Sequence, residues 1–204
     1  KLLKRYWRHL LAALLFFLLF SISAVAWFSK DLPDPNKLKQ RAVSQSTKIY
    51  DRTGEHLLYD IHGDQKRTLI KLDQIPAYAV NATLALEDQK FYEHGGFSLW
   101  GIFRGVVIQT LKGKRAQGGS TLTQQLVKNA ILTNERSLTR KVKELILAYR
   151  LEQKYSKDEI LQMYFNEIPY GGSAYGIEAA AFTYLGKSAK DLTLAEAAIL
   201  AAMP

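Results

Sequence analysis

Apolar residues run without a charge from Leu10 to Phe28, the longest such stretch in the chain. As a helix rising 1.5 Å per residue, this run reaches roughly 28 Å, close to the ~30 Å hydrocarbon core of a bilayer. Lys1, Lys4, Arg5 and Arg8 precede it, and Lys30 and Asp31 follow. The pattern predicts a basic tail over 1–9 and a transmembrane anchor over 10–28. By the positive-inside rule the N-terminus stays in the cytoplasm and the remainder lies outside. The competing reading is a cleaved signal peptide, because Ala24-Val25-Ala26 fits an Ala-x-Ala cleavage pattern. Against it, the apolar run exceeds the roughly 7–15 residues of a usual signal core.

The pattern changes after the anchor. Residues 29–47 are polar and contain Pro33 and Pro35, which reads as a linker. Lys48-Ile49-Tyr50 and Glu55-His56-Leu57-Leu58-Tyr59 flank Asp51-Arg52-Thr53-Gly54, the arrangement of a short hairpin. A third short strand is expected near Arg67–Leu72. From Pro76 the periodicity is helical almost to the end. Pro76 suits the first position of a helix reaching about Asp88, and a second helix covers 120–129. Val142, Leu145, Tyr149 and Glu152 recur every three or four residues, which predicts an amphipathic helix over 138–154. Ser156 with Glu159, and Thr193 with Glu196, form capping-box patterns that open helices over 157–166 and 194–203. Residues 48–204 thus read as one mainly α domain with a small β element at its start.

Charge sharpens the picture only modestly. The formal net charge is +9, but residues 1–30 hold five Lys/Arg and no acid, leaving 23 basic against 19 acidic residues beyond them. A surplus of +4 outside a membrane suits anionic head groups or a phosphate-bearing substrate. Nucleic acid is disfavoured, because no basic–aromatic repeat or zinc spacing accompanies the charge. With no cysteine, the chain tolerates an oxidising compartment but gains nothing from disulfides.

Chemistry concentrates in three places. Glu87-Asp88-Gln89-Lys90-Phe91-Tyr92-Glu93-His94 follows the apolar run Ala82–Leu86. Apolar neighbours and the adjacent Asp88 disfavour the charged form of Glu87, which suits it to general-base work. The plain alternative is a polar helix end, with Phe91 in the core and His94 a hydrogen-bonded structural residue. Next, Gly118-Gly119-Ser120-Thr121 opens a helix whose N-terminus offers unpaired amides to an anion. Thr121, Gln125 and Lys128 fall at i, i+4 and i+7, either a diphosphate-binding face or a solvated one. Finally, Arg136, Arg140, Lys141 and Lys143 gather at a helix start, where the macrodipole disfavours cations. Binding a polyanion is one explanation. A surface cluster, with Glu144 simply paired to Lys141 and Arg140 along the helix, is the other. Two carboxylates in distinct settings, Glu87 and Glu144, suit glycosyl chemistry.

The segment Phe97–Ile108 is unusually apolar and reads two ways. It is either core or an interfacial stretch with Trp100, Phe103 and Arg104 at the level of lipid head groups.

These residues together resemble the peptidoglycan glycosyltransferases, glycosyltransferase family 51. Glu87-Asp88-x-x-Phe91-x-x-His94 with Gly95-Gly96 is similar to the first family signature, and Gly118-Gly119-Ser120-Thr121-x-Thr123-Gln124-Gln125-Leu126-x-Lys128-Asn129 stands intact. Arg140-Lys141-x-x-Glu144 resembles the third motif. Lys157–Asn166 resembles the fourth, with Phe165 where Leu or Met is usual. Tyr175–Ala181, Tyr184–Lys187 and Leu192–Ala198 resemble the last. With its anchor and hairpin, the chain looks like the N-terminal part of a class A penicillin-binding protein. On that resemblance a transpeptidase domain with a Ser-x-x-Lys nucleophile would follow, and the family domain runs on past Pro204. No Ser in this chain has Lys at i+3.

The resemblance implies a lysozyme-like, two-lobed helical domain that polymerises lipid II at the outer face of a bacterial cytoplasmic membrane. It implies Glu87 and Glu144 as catalytic residues. It also implies Asp88, Phe91, His94, Ser120, Thr121, Gln125, Lys128, Arg136, Arg140 and Lys141 around the substrate. Glu144 would orient either these cations or a divalent metal, magnesium or manganese, at the donor diphosphate. Partners would be lipid II, the growing glycan, membrane lipids and other cell-wall synthesis proteins. Two rivals stand beside this reading: a hydrolase or lytic enzyme using the same carboxylates, and a silent glycan-binding module. The latter is expected to lack one of the two acids, and both are present.

Overall fold

The computed structural model describes residues 2–30, 32–34, 46–54, 56–61, 63, 65–98, 101, 119–132 and 137–204. Helix α1, Leu2–Ser29, is longer than the apolar run because the basic residues ahead of it continue the helix. Its stretch Tyr6–Ser29 is long and apolar enough to cross a membrane by length and composition, and its Leu and Phe side chains are exposed. Near its end Ala24, Phe28 and Ser29 are half-buried, α1 touches helix α4 (Leu138–Glu152), and Leu32 packs on the core.

The expected hairpin forms from β1, Thr47–Tyr50, and β2, Leu57–Ile61, paired antiparallel with an irregularity at Ile49/Tyr50. The third strand is shorter than expected. β3 is only Lys66–Arg67 and pairs in parallel with β4, Ala174–Tyr175. Side-chain amides take over where the strand stops. Asn166 accepts from the Ile70 amide at 2.9 Å and donates to the Ile70 carbonyl at 3.0 Å. Gln162 accepts from the Leu72 amide at 2.6 Å. With its backbone groups satisfied this way, the segment needs no strand partner and turns into the 3₁₀ turn Leu72–Gln74.

The helices follow as expected, with shifts of at most two residues at their ends. They are α2 Ala77–Glu87 behind Pro76, α3 Leu122–Ala130 capped by Thr121, and α4 capped by Ser137. α5 Lys157–Glu167 and α7 Leu194–Ala201 carry the expected capping boxes. Between them lies α6, Ile177–Leu185, entered through Gly176 at φ 82° and closed by Gly186 at φ 68°. A Cβ at Gly176 would stand 3.0 Å from the Phe165 and Asn166 carbonyl oxygens, so this close crossing over α5 requires glycine.

α5 is the centre of the core. Ile160, Leu161, Tyr164 and Phe165 are fully buried, with Leu126 and Val127 of α3, Leu147 and Leu151 of α4, and Ala180 of α6 in the same cluster. Each such aliphatic or aromatic side chain contributes roughly 1.5–3 kcal/mol by leaving water. A buried ion pair, Arg67 to Glu167 at 2.6 Å, ties the small parallel sheet to the end of α5, with the guanidinium 5.2 Å from the Tyr175 ring centre. The fold is therefore mainly α with a small β element and one N-terminal apolar helix.

Candidate active site

Glu87 is the last residue of α2, and the chain then folds back as a loop fixed at three points. Asp88 accepts hydrogen bonds from His94 Nε2 at 2.9–3.0 Å and from the Leu122 backbone amide at 3.1 Å. One carboxylate thus orients the imidazole and satisfies an otherwise unpaired amide at the start of α3. Thr121 caps the same helix by accepting from the Gln124 amide at 3.2 Å, and donates its own proton to the Gly96 carbonyl at 2.7 Å. Lys157 donates to the His94 carbonyl at 2.6 Å, pairs with Glu152 at 2.6 Å, and lies 4.4 Å from the centre of the buried Phe91 ring. Thr123 closes this network on Glu152 at 2.5 Å.

Glu87 itself faces α3. Its Oε2 accepts from Gln125 Nε2 at 2.6 Å, and Gln125 Oε1 accepts from the Tyr164 hydroxyl at 3.4 Å. Burial raises the Tyr164 phenol well above its ordinary range, with nearby Tyr170, Glu87 and Asp88 adding to the effect, so it stays a donor. Burial, then the Glu87 charge, likewise holds Tyr170 protonated.

The second acid comes from α4. Glu144 is only 2% exposed, and Lys141 Nζ lies 2.9 Å from its Oε2. Arg140 Nε is 2.9 Å from Oε1, a charge contact whose angle falls short of a hydrogen bond. Lys141 also donates to Ser120 Oγ at 2.8 Å and Gln124 Oε1 at 3.3 Å, joining α4 to the N-terminal end of α3.

Glu87, Gly119, Ser120, Gln124, Gln125, Lys128, Glu144 and Pro204 line one cavity of about 280 Å³. Lys128 has no acidic partner among the described residues, so its ammonium is available to an anion there. A larger cavity of about 730 Å³ lies between Lys71–Asp73 and Tyr155–Met163. It shares no residue with the two glutamates, so the chemistry and not the volume selects the smaller one.

The residues singled out in the sequence therefore divide. Glu87, Glu144, Ser120, Gln125 and Lys128 meet at the cavity. Arg140 and Lys141 flank it through Glu144. Asp88, Phe91, His94 and Thr121 stand behind it, where they hold the loop and the start of α3; Phe91 is 1% and Thr121 3% exposed. The helix face of Thr121, Gln125 and Lys128 is thus incomplete, because Thr121 is the cap and its hydroxyl is spent on Gly96. Arg136, Trp100, Phe103 and Arg104 lie outside the described residues. Sequence reasoning missed Tyr164, whose only signal was its place in the Tyr164-Phe165-Asn166 motif. It also missed Gln124, which sits beside Gln125.

Comparison with known proteins identifies the family of the chain. The model of the Transglycosylase family matches residues 54–204. Penicillin-binding protein 1A of Aquifex aeolicus is 45% identical over 175 residues, which cover 86% of this chain and 24% of that protein. The protein of the same name from Neisseria flavescens is 42% identical over 91% of this chain and 23% of its own length. That of Escherichia coli K12 is 44% identical over 87% and 21%. The chain spans about a quarter of the length of these relatives. It belongs to the transglycosylase family, and its helical domain is the glycosyltransferase domain that class A penicillin-binding proteins carry.

Proposed function

We propose that the chain is a membrane-anchored peptidoglycan glycosyltransferase that polymerises lipid II into β-1,4-linked glycan and releases undecaprenyl diphosphate. The observation that carries this reading is one cavity shared by Glu87, Glu144 and Lys128, whose ammonium has no acidic partner among the described residues. Glu87 removes the proton from the 4-hydroxyl of the acceptor sugar. The oxygen attacks C1 of the donor, the bond from C1 to the diphosphate oxygen breaks, and the anomeric centre inverts. The diphosphate leaves with the bonding electrons and is a weak base, so it needs cations more than an acid. Lys128 meets that charge directly, and Arg140 and Lys141 meet it from α4, by preorganised electrostatic stabilisation. Glu144 fixes the two α4 cations, and Ser120 and Gln125 border the sugar oxygens.

Among the described residues no three His, Cys, Asp or Glu side chains cluster, and both Glu144 oxygens already face cations, so this donor set does not fit a resident divalent ion.

A lipid-linked donor is supported by the exposed apolar helix α1 and by its contact with α4, the helix that bears Glu144. The N-terminus would lie in the cytoplasm and the domain outside, from the basic flank. The same carboxylates could serve a lytic enzyme, and the products separate the two. Labelled lipid II incubated with the chain in detergent should give long glycan and free undecaprenyl diphosphate. Shortening of preformed glycan, with lipid II left intact, would overturn the transferase reading.

A further inference from the structure

We infer that Tyr164 is a positioning residue for Glu87, acting through the side-chain amide of Gln125. This rests on the assignment of Glu87 as the base and adds a residue that assignment does not contain. A carboxamide presents two donors on nitrogen and only acceptors on oxygen, so what faces each end decides which way it points. Gln125 Nε2 lies 2.6 Å from Glu87 Oε2, and Gln125 Oε1 lies 3.4 Å from the Tyr164 hydroxyl. Were the amide reversed, its oxygen would face the Glu87 carboxylate, acceptor against acceptor, so the carboxylate sets which end points to it.

Tyr164 is suited to hold the amide in that orientation, with its hydroxyl on Gln125 Oε1. It is fully buried at the centre of α5, among Ile160, Leu161 and Phe165, so its ring has no room to turn away. Its ring meets the Phe165 ring edge-on at 5.8 Å. Gln125, by contrast, is half-buried on the cavity wall, and a solvated amide alone would sample both orientations. The relay Tyr164 to Gln125 to Glu87 links a fully buried side chain of α5 to the reacting carboxylate. It aims one Glu87 oxygen at the amide and leaves the other for the acceptor hydroxyl.

The test compares Tyr164→Phe, Gln125→Ala and the double variant of the intact chain in lipid II polymerisation, with Glu87→Gln as the floor. Loss of one neutral hydrogen bond predicts a fall in kcat of roughly 3- to 10-fold for Tyr164→Phe with KM unchanged. The double variant is no slower than Gln125→Ala alone, because the phenol acts only through the amide. Wild-type kcat in a folded Tyr164→Phe would overturn the proposal. So would losses that multiply in the double variant, which mark an independent packing effect. Near-normal turnover in Glu87→Gln would instead remove the base itself, and both readings with it.

Discussion

Lys141 Nζ lies 2.9 Å from Glu144 Oε2, one helical turn away, and the same ammonium reaches Ser120 across the gap to α3. The spacing that makes an ordinary helical salt bridge here also fixes a cation at the wall of a cavity. Glu144→Gln keeps the shape and removes the charge, so Arg140 and Lys141 lose their common anchor. We expect polymerisation to fall by about 10²-fold, in line with the loss of one preorganised electrostatic group, with little change in melting temperature. Initial rates on lipid II check this, and unchanged rates would reduce Glu144 to a structural pair.

The ion pair of Arg67 and Glu167 is buried on both sides, at 2% and 8% exposure. Removing one partner strands the other charge away from water. Arg67→Ala should therefore cost about 3–5 kcal/mol, whereas replacing both partners by apolar residues of similar size should cost far less. Urea denaturation of the single and double variants measures the difference.

Gly96 joins the Glu87 loop to α4. It holds φ 91°, and a Cβ there would meet the Ala148 carbonyl oxygen at 2.7 Å, which is backbone and cannot swing aside. Gly96→Ala should destabilise by about 1–3 kcal/mol and lower turnover by displacing the loop. Gly54, at φ 78° in the exposed hairpin turn with open space around it, supplies the contrast. Gly54→Ala should cost only about 1 kcal/mol and leave turnover unchanged.

Glu196 is held down at about 2 by its hydrogen bond to Lys187 and then by the Thr193 backbone amide. A carboxyl depressed on folding adds stability that is fully present above its ordinary value near 4.5 and fades as pH falls towards 2. Glu196→Gln should flatten the acid side of the stability curve across that window. Thermal melts from pH 6 to pH 2 show whether wild type and variant converge as the acid end is reached.

Helices with strong local signals were legible in the sequence. Ser156 and Glu159, Thr193 and Glu196, and the apolar spacing after Leu138 each mark an element that forms. What failed to show was set by distant partners. The strand expected over 67–72 stops at Arg67 because Gln162 and Asn166, some ninety residues away, satisfy its backbone. The two acids were legible as types, and their motifs located them. Which neighbours line the cavity and which lie behind it was not legible, because burial separates Thr121 from Gln125 although both lie on the same motif. Tyr164 escaped for a similar reason, since its hydroxyl matters only once α5 packs under α3.

The most direct measurement is glycan-chain formation from labelled lipid II by the wild-type chain and by Glu87→Gln, with donor binding followed in parallel. The account predicts polymer from the wild type alone, with lipid II affinity retained in the variant. Polymer at comparable rates from both would contradict it, since among the described residues the other carboxylate at the cavity, Glu144, already faces Arg140 and Lys141.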